Sequence, residues 1–333
     1  GTAYIYGGNF TEIENLIYNK ETGVAKIDGL TGVSVEWLTN YGTMDISNSS
    51  IGENYMYNYA TLNLTNVTLL YGSIQNSNDV GEININGGTY NGEISANSGK
   101  LSIIDGTFNK TIRNWRGTVN IRGGKFASGV NNSGSGTINI GTKGDITDSG
   151  ELNVSTDNPN ITNTTYGVIN TNGGIVNFYD GIISGTTDAI NGTINEVEDG
   201  YEIISDTTDD GKKSKYLSRL PVAEVESTGD TYYTLQEAID AATNSKEVIK
   251  LLRRFTTLNT LETTKISEDK DIILDLNGYT LEQNNENFLS NNGTLKITDS
   301  SEDNLGKIVM YTNKSIENNG VMVIENINIS VNK

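Results

Sequence analysis

Three stretches of this chain superimpose without a gap, each 18 residues after the last: Gly81-Glu-Ile83-Asn-Ile85-Asn-Gly-Gly-Thr-Tyr90, Gly99-Lys-Leu101-Ser-Ile103-Ile-Asp-Gly-Thr-Phe108 and Gly117-Thr-Val119-Asn-Ile121-Arg-Gly-Gly-Lys-Phe126. The phase runs on past the aromatic residue, because Ile94, Ile112 and Val130 keep the same spacing. Looser copies occupy 1–10, 42–51, 60–69, 136–146, 150–161, 173–183, 293–308 and 320–329. The first apolar position of the copies runs Met44, Leu62, Ile83, Leu101, Val119, Ile138, Leu152, Ile175. A unit this short cannot bury an apolar face alone, so the units must stack on one another.

Within each copy apolar and polar residues alternate, as in Ile83-Asn84-Ile85 and Val119-Asn120-Ile121, which is the period of a strand. Gly-Gly, Asn-Gly and Asp-Gly pairs end the short runs and force turns. Stacking coil on coil at about 4.8 Å then predicts three interior ladders. One holds Ile83, Leu101, Val119 and Ile138, a second holds Ile85, Ile103, Ile121 and Ile140, and an aromatic stack holds Tyr90, Phe108 and Phe126. The fold class expected is all-β, a parallel β-helix (β-solenoid) with one short capping helix. An antiparallel sandwich of hairpins is the competing architecture, but phase kept at three separate positions per unit favours the solenoid. A thin interior also accommodates an apolar content of only 35%, below the usual ~45–50%. The polar balance is dominated by 45 Asn and 37 Gly.

The pattern breaks between Glu196 and Asp230. Two β-prone runs around Asp210-Gly211 read as a hairpin, and Pro221 to Asp230 reads as a connector. Thr234-Leu-Gln-Glu237-Ala-Ile239-Asp-Ala-Ala242 follows as a helix. Thr234 and Glu237 are placed to form a capping box, and Leu235, Ala238, Ile239 and Ala242 share one face. The expected organisation is therefore an array over 1–199, a hairpin and connector over 200–230, and a capping helix with the start of a second solenoid over 231–333. The helix is expected to close the end of that second array, where bare strand edges invite aggregation.

Asp230-Thr-Tyr-Tyr-Thr-Leu-Gln-Glu-Ala-Ile-Asp-Ala-Ala, Val248-Ile-Lys-Leu-Leu-Arg-Arg-Phe, Asp271-Ile-Ile-Leu-Asp-Leu-Asn-Gly-Tyr-Thr-Leu and Asn292-Gly-Thr-Leu-Lys-Ile-Thr-Asp carry a family likeness. Together they resemble the pectate-lyase-like right-handed β-helix, and more narrowly the repeated modules of large surface adhesins of Gram-positive anaerobes. The likeness implies right-handed coils and a cell-surface setting. It constrains function weakly, since one coil geometry serves lyases, adhesins and phage spikes.

Charge and composition narrow the chemistry. The formal charge of −19 argues against nucleic acid or an anionic membrane as partner, both of which are bound through basic patches. With no Cys and no His, the sequence lacks thiolates, imidazole metal ligands and every Ser-His or Cys-His pair. No leader and no apolar run of ~18 residues is seen, so an export signal or anchor is expected to lie outside this stretch. Asp269 with Asp271, and Asp206 with Asp209 and Asp210, are the acid clusters to weigh as catalysts; solvated turns account for them better. Arg253-Arg254 and Lys212-Lys213 are candidate clamps for a polyanionic sugar, or plain surface charges. No cofactor is expected. Asp206 to Gly211 lacks the alternating ligands of an EF-hand, which leaves a surface calcium as an alternative. The outward row Asn84, Ser102, Asn120, Asn139 is a polar ladder that solvation explains, with a glycan or ice as alternatives. Asn48, Asn63, Asn66, Asn153 and Asn292 head Asn-x-Ser/Thr triplets. Trp37 and Trp115 lie near predicted turns and either stack on a sugar ring or pack over the solenoid's third face.

These readings converge on a non-catalytic extracellular structural or adhesive module forming a rod or fibre at the cell surface. Gly1 falls at a coil start and Ile327 to Lys333 in mid-array, so head-to-tail self-association or further modules of the same chain are the expected continuation. The alternative is a polysaccharide-binding or polysaccharide-lyase-like module.

Overall fold

A computed structural model describes residues 1–31, 34–52, 55–145, 152–256, 263–282, 287–311 and 315–332. The chain is mostly β, a parallel β-solenoid of about 14 turns with one short helix. Among the described residues no helix is long and apolar enough to cross a membrane. The chain divides into two compact units, 1–145 with 154–218, and 146–153 with 219–333.

In the first unit each coil contributes to a 16-stranded sheet and then to a nine-stranded one. The coil that starts with Glu82–Tyr90 continues as Glu93–Ala96, and the next starts with Lys100–Phe108. Neighbouring coils pair in parallel register, so like residue falls on like. Ile83 lies on Leu101, Leu101 on Val119 and Val119 on Ile138, while Ile85, Ile103, Ile121 and Ile140 form the second ladder. All of these side chains are buried. The Tyr90 and Phe108 rings stack with centroids 5.1 Å apart, and Phe108 and Phe126 at 4.7 Å, both pairs tilted by only 8°. Leu69 lies below this stack and Ile161 above it. Burying one such ring contributes roughly 1.5–3 kcal/mol.

A bend inside the first strand of the coil separates the ladders. In Thr61–Leu69, Leu62 and Leu64 point in, Thr65 and Asn66 both point out, and Val67 and Leu69 point in again. Asn66 takes φ 52°, a left-handed value that Asn tolerates well. The coil above meets this bend with Gly88, where a Cβ would stand 2.1 Å from the Val67 carbonyl oxygen. The Gly-Gly pair is therefore required by close approach as well as by the turn.

Two ladder positions differ from expectation. Ile138 pairs with Val176 rather than with Leu152 or Ile175; Ile175 pairs with Thr137 and is 42% exposed. Leu152 is not among the partners of that ladder. The chain makes a long excursion here, and the Asn132-to-Asn170 step of the adjoining sheet spans 38 residues. Part of the expected copies at 136–146 and 150–161 lies outside the described residues, as does Lys333. The hairpin that reads as part of a connector has Tyr201–Thr207 and Lys213–Arg219 as its strands, and both join the 16-stranded sheet. Lys213–Arg219 runs antiparallel to Ile182–Gly185 and so covers that edge.

The second unit has three sheets of six, four and three strands. Its coils start with Glu247–Leu251, Asp271–Asp275, Thr294–Thr298 and Val321–Ile324, paired in parallel. Ala223–Val225, within the expected connector, pairs antiparallel with Glu247–Leu251 and covers its edge. The helix Leu235–Ala241 starts at Thr234, whose Oγ1 accepts from the Glu237 amide at 3.1 Å, while the Thr234 amide donates to the Glu237 carboxylate at 2.9 Å. Its Leu235, Ala238 and Ile239 are buried in this unit's core beside Ile249 and Ile266.

Candidate functional site

Asparagine is used here in a way that alternation does not reveal. Asn19, Asn40, Asn58, Asn76, Asn114, Asn132 and Asn170 all sit inside the first unit at the ends of nine-stranded-sheet strands. Five of the seven side-chain NH2 groups donate to the Oδ1 one coil up: Asn19 to Asn40 and Asn40 to Asn58 at 2.8 Å, Asn58 to Asn76, Asn114 to Asn132 and Asn132 to Asn170 at 3.0 Å, while those of Asn76 and Asn170 donate to backbone carbonyls. The same NH2 groups also satisfy backbone carbonyls at the corner, as Asn58 does for Ala60 and Glu82. An amide carries a donor and an acceptor on opposite sides, so a column of them spaced by one strand separation is self-satisfying. Asn291 and Asn318 repeat the device in the second unit at 2.7 Å.

The outward row is partly a ladder of the same kind. Asn84 donates to Asn63 at 3.0 Å, Asn139 to Asn120 and Asn177 to Asn139 at 2.8 Å, and Ser102 interrupts the run. Its amides are thus engaged with one another, which accounts for the row through structure.

Several of the acidic and basic candidates are also engaged, while Asp209, Asp269 and Lys213 lie exposed. Asp206 accepts from the Thr207 amide, Asp210 binds Lys212 at 2.6 Å, and Asp271 accepts from Ser245. Lys212 and its hydrogen bond, aided by Thr208, hold the Asp210 carboxyl down at about 2. Arg254 forms an ion pair with Glu282, which is buried and also accepts from the Tyr311 hydroxyl at 2.8 Å. Arg254 and Glu282 line a groove of about 460 Å³ together with Thr280, Lys307, Val309 and Ser330. Among the described residues no three acidic side chains gather as metal ligands.

A third cluster is not indicated by any motif. Lys143 pairs with Glu196, whose other oxygen accepts from the Tyr179 hydroxyl at 2.8 Å. Glu198 accepts from the Gly144 amide at 2.9 Å. Burial, with the Glu196 hydrogen bond, pushes Tyr179 up to about 12, and burial raises Glu198. Burial likewise lifts Asp180 to about 6, against hydrogen bonds from the Ser155 and Gly181 amides. The contacts tie the 143–144 turn to the strand Glu196–Val197, two coils further on.

The outer face of the nine-stranded sheet carries the most distinctive side chains. Trp37 lies in the strand Val35–Asn40, not in a turn, with its ring 5.5 Å from Tyr55 and 5.6 Å from Tyr57. Tyr41 stacks on Tyr59 at 4.4 Å and 5°, and Tyr18 approaches Tyr41 at 5.5 Å. Hydrogen bonding to Tyr18, with some burial and the Tyr59 hydroxyl beside it, raises the Tyr41 hydroxyl. Six aromatic rings thus gather on three successive coils. Trp115 lies apart, just after the strand Ile112–Asn114, and is 50% exposed.

Compared with known proteins, the chain matches no family model, no curated protein and no solved structure.

Proposed function

We propose that this chain is a non-catalytic structural or adhesive module of an extracellular surface protein, its coils wound right-handed as in the adhesin modules it resembles. The observation that carries the reading is the unbroken like-on-like stacking of Ile83, Leu101, Val119 and Ile138 beside columns of hydrogen-bonded amides. Such a core transmits load along its axis through many parallel strand pairs. The acidic surface, with 42 Asp+Glu against 23 Lys+Arg, keeps it soluble and free of nucleic acid. Protease treatment of intact source cells tests the setting. Peptides of this chain released before lysis agree with it, and release only after lysis contradicts it.

The groove holding Arg254, Glu282 and Lys307 favours a second reading, a carbohydrate-active module that accepts an acidic polysaccharide. Release of an unsaturated, ultraviolet-absorbing product from uronic-acid polymers would establish that reading and overturn the first.

A further inference from the structure

We propose that the ledge where Tyr55, Tyr57 and Tyr59 give way to Ser73, Gln75 and Ser77 binds a neutral polysaccharide chain. The proposal rests on the adhesive reading above and names its ligand class and site.

Register defines the ledge. Tyr55 pairs with Ser73 and Tyr57 with Gln75, while Tyr59 and Ser77 each follow the ladder asparagine of their coil, Asn58 and Asn76. Three rings therefore stand over two serines and one glutamine. One face of Tyr57 is covered by Trp37 and one face of Tyr59 by Tyr41, both from the preceding coil. Their opposite faces look toward the coil of Ser73, Gln75 and Ser77, and both rings stay partly exposed. Tyr55, at the edge of the wall, is 47% exposed. The result is an aromatic wall above a floor of hydroxyls and one amide.

This pairing of surfaces fits a sugar. A pyranose offers an apolar face of C–H groups to an aromatic ring and hydroxyls around its rim. Outward positions two residues apart lie roughly 6.6 Å apart along a strand, so adjacent rings can meet consecutive sugars. Tyrosine rings stacked on Trp37 and on Tyr41 are already ordered, so little side-chain entropy remains to be lost on binding. Charge selects the class of polymer. The floor and wall are uncharged, and the next coil presents Glu93 already bound to Arg113 at 3.0 Å. With no cation among the six ledge residues and −19 on the chain, a uronate polymer is repelled while a neutral one is not.

The test is affinity electrophoresis of the whole chain in native gels containing galactomannan, mixed-linkage β-glucan or xylan, with polygalacturonate as the anionic control. The expected result is slowed migration in at least one neutral polymer and none in polygalacturonate. Tyr57→Ala with Tyr59→Ala should weaken the effect at least tenfold, whereas Trp115→Ala leaves it unchanged. Gln75→Tyr fills the ledge while keeping the wall, and should abolish the effect in a protein whose circular dichroism is unaltered. Unchanged mobility in all three neutral polymers overturns the proposal. Slowing by polygalacturonate alone, or slowing retained by the double variant, does the same. None of these outcomes bears on cell-surface exposure, so the proposal and the reading beneath it fail separately.

Discussion

Ala96 and Asn114 occupy the same register position in adjacent coils, and the Oδ1 of Asn114 is buried there without a hydrogen-bond partner. In the coils below, that oxygen accepts from the previous asparagine, as Asn76 does from Asn58. Ala96 has no amide to offer, so the column is broken at one rung. Ala96→Asn should restore the donor and raise the free energy of unfolding by about 1 kcal/mol if the new bond behaves like an average one. Asn58→Ala should cost about 2–3 kcal/mol, because it leaves buried partners unsatisfied. Equilibrium unfolding of the two variants checks both signs.

The interior aromatic stack gives a packing prediction. Phe108 is buried between Tyr90 and Phe126. Phe108→Ala leaves a cavity that neighbouring coils cannot close without losing register, so it should cost about 3–5 kcal/mol. Phe108→Leu should cost distinctly less. Thermal melts of the pair measure the difference.

Two glycines separate steric need from backbone conformation. A Cβ on Gly81 would lie 2.2 Å from the Asn76 Oδ1, so Gly81→Ala must displace a rung of the amide column. Gly211, in the hairpin turn, has φ 80°, but a Cβ added there would meet nothing within 4 Å. Gly211→Ala should therefore cost only the left-handed strain, about 1–2 kcal/mol, and Gly81→Ala clearly more. Urea unfolding of the two variants ranks them.

Asp180 predicts a pH dependence. Its folded pKa, about 6, lies above the ordinary value of 3.8, so the folded state holds the proton more tightly than the unfolded chain. The associated stability is complete below the unfolded value and is lost as pH rises through about 6. Asp180→Asn keeps the Oδ1 acceptor for the Ser155 and Gly181 amides. It should raise the melting temperature at pH 8 and leave it nearly unchanged at pH 4. Asp299 works in the opposite direction: burial raises it, but amides of Gly278 and Gly306 and the Ser301 hydroxyl lower it overall. Its contribution is lost as pH falls through its depressed folded value.

The interior ladders are legible in the sequence because Ile83, Leu101 and Val119 recur without insertion and alternate with polar residues. Where the coil lengthens after Ile140, phase is lost, and the repeat pattern assigns Leu152 and Ile175 to a ladder position that Val176 occupies. The amide column is not legible, although Asn40, Asn58 and Asn76 recur at 18-residue steps. Alternation assigns polar residues outward, and only three-dimensional stacking shows that an inward amide can satisfy itself. The tyrosine wall is hidden for a related reason. Trp37 stands out by type, but Tyr41, Tyr55, Tyr57 and Tyr59 join it only once the register of neighbouring coils is known.

The central claim is that neighbouring coils lie parallel with like positions superposed. The chain has no native cysteine, so engineered pairs report register directly. Ser102 pairs with Asn120, and Thr107 with Lys125, all four pointing outward. Parallel neighbours about 4.8 Å apart fall within the Cα range that a disulfide spans. Ser102→Cys with Asn120→Cys, and separately Thr107→Cys with Lys125→Cys, should each oxidise to an intrachain disulfide. An antiparallel arrangement brings at most one of those pairs together, so crosslinking of only one, or of neither, contradicts the account.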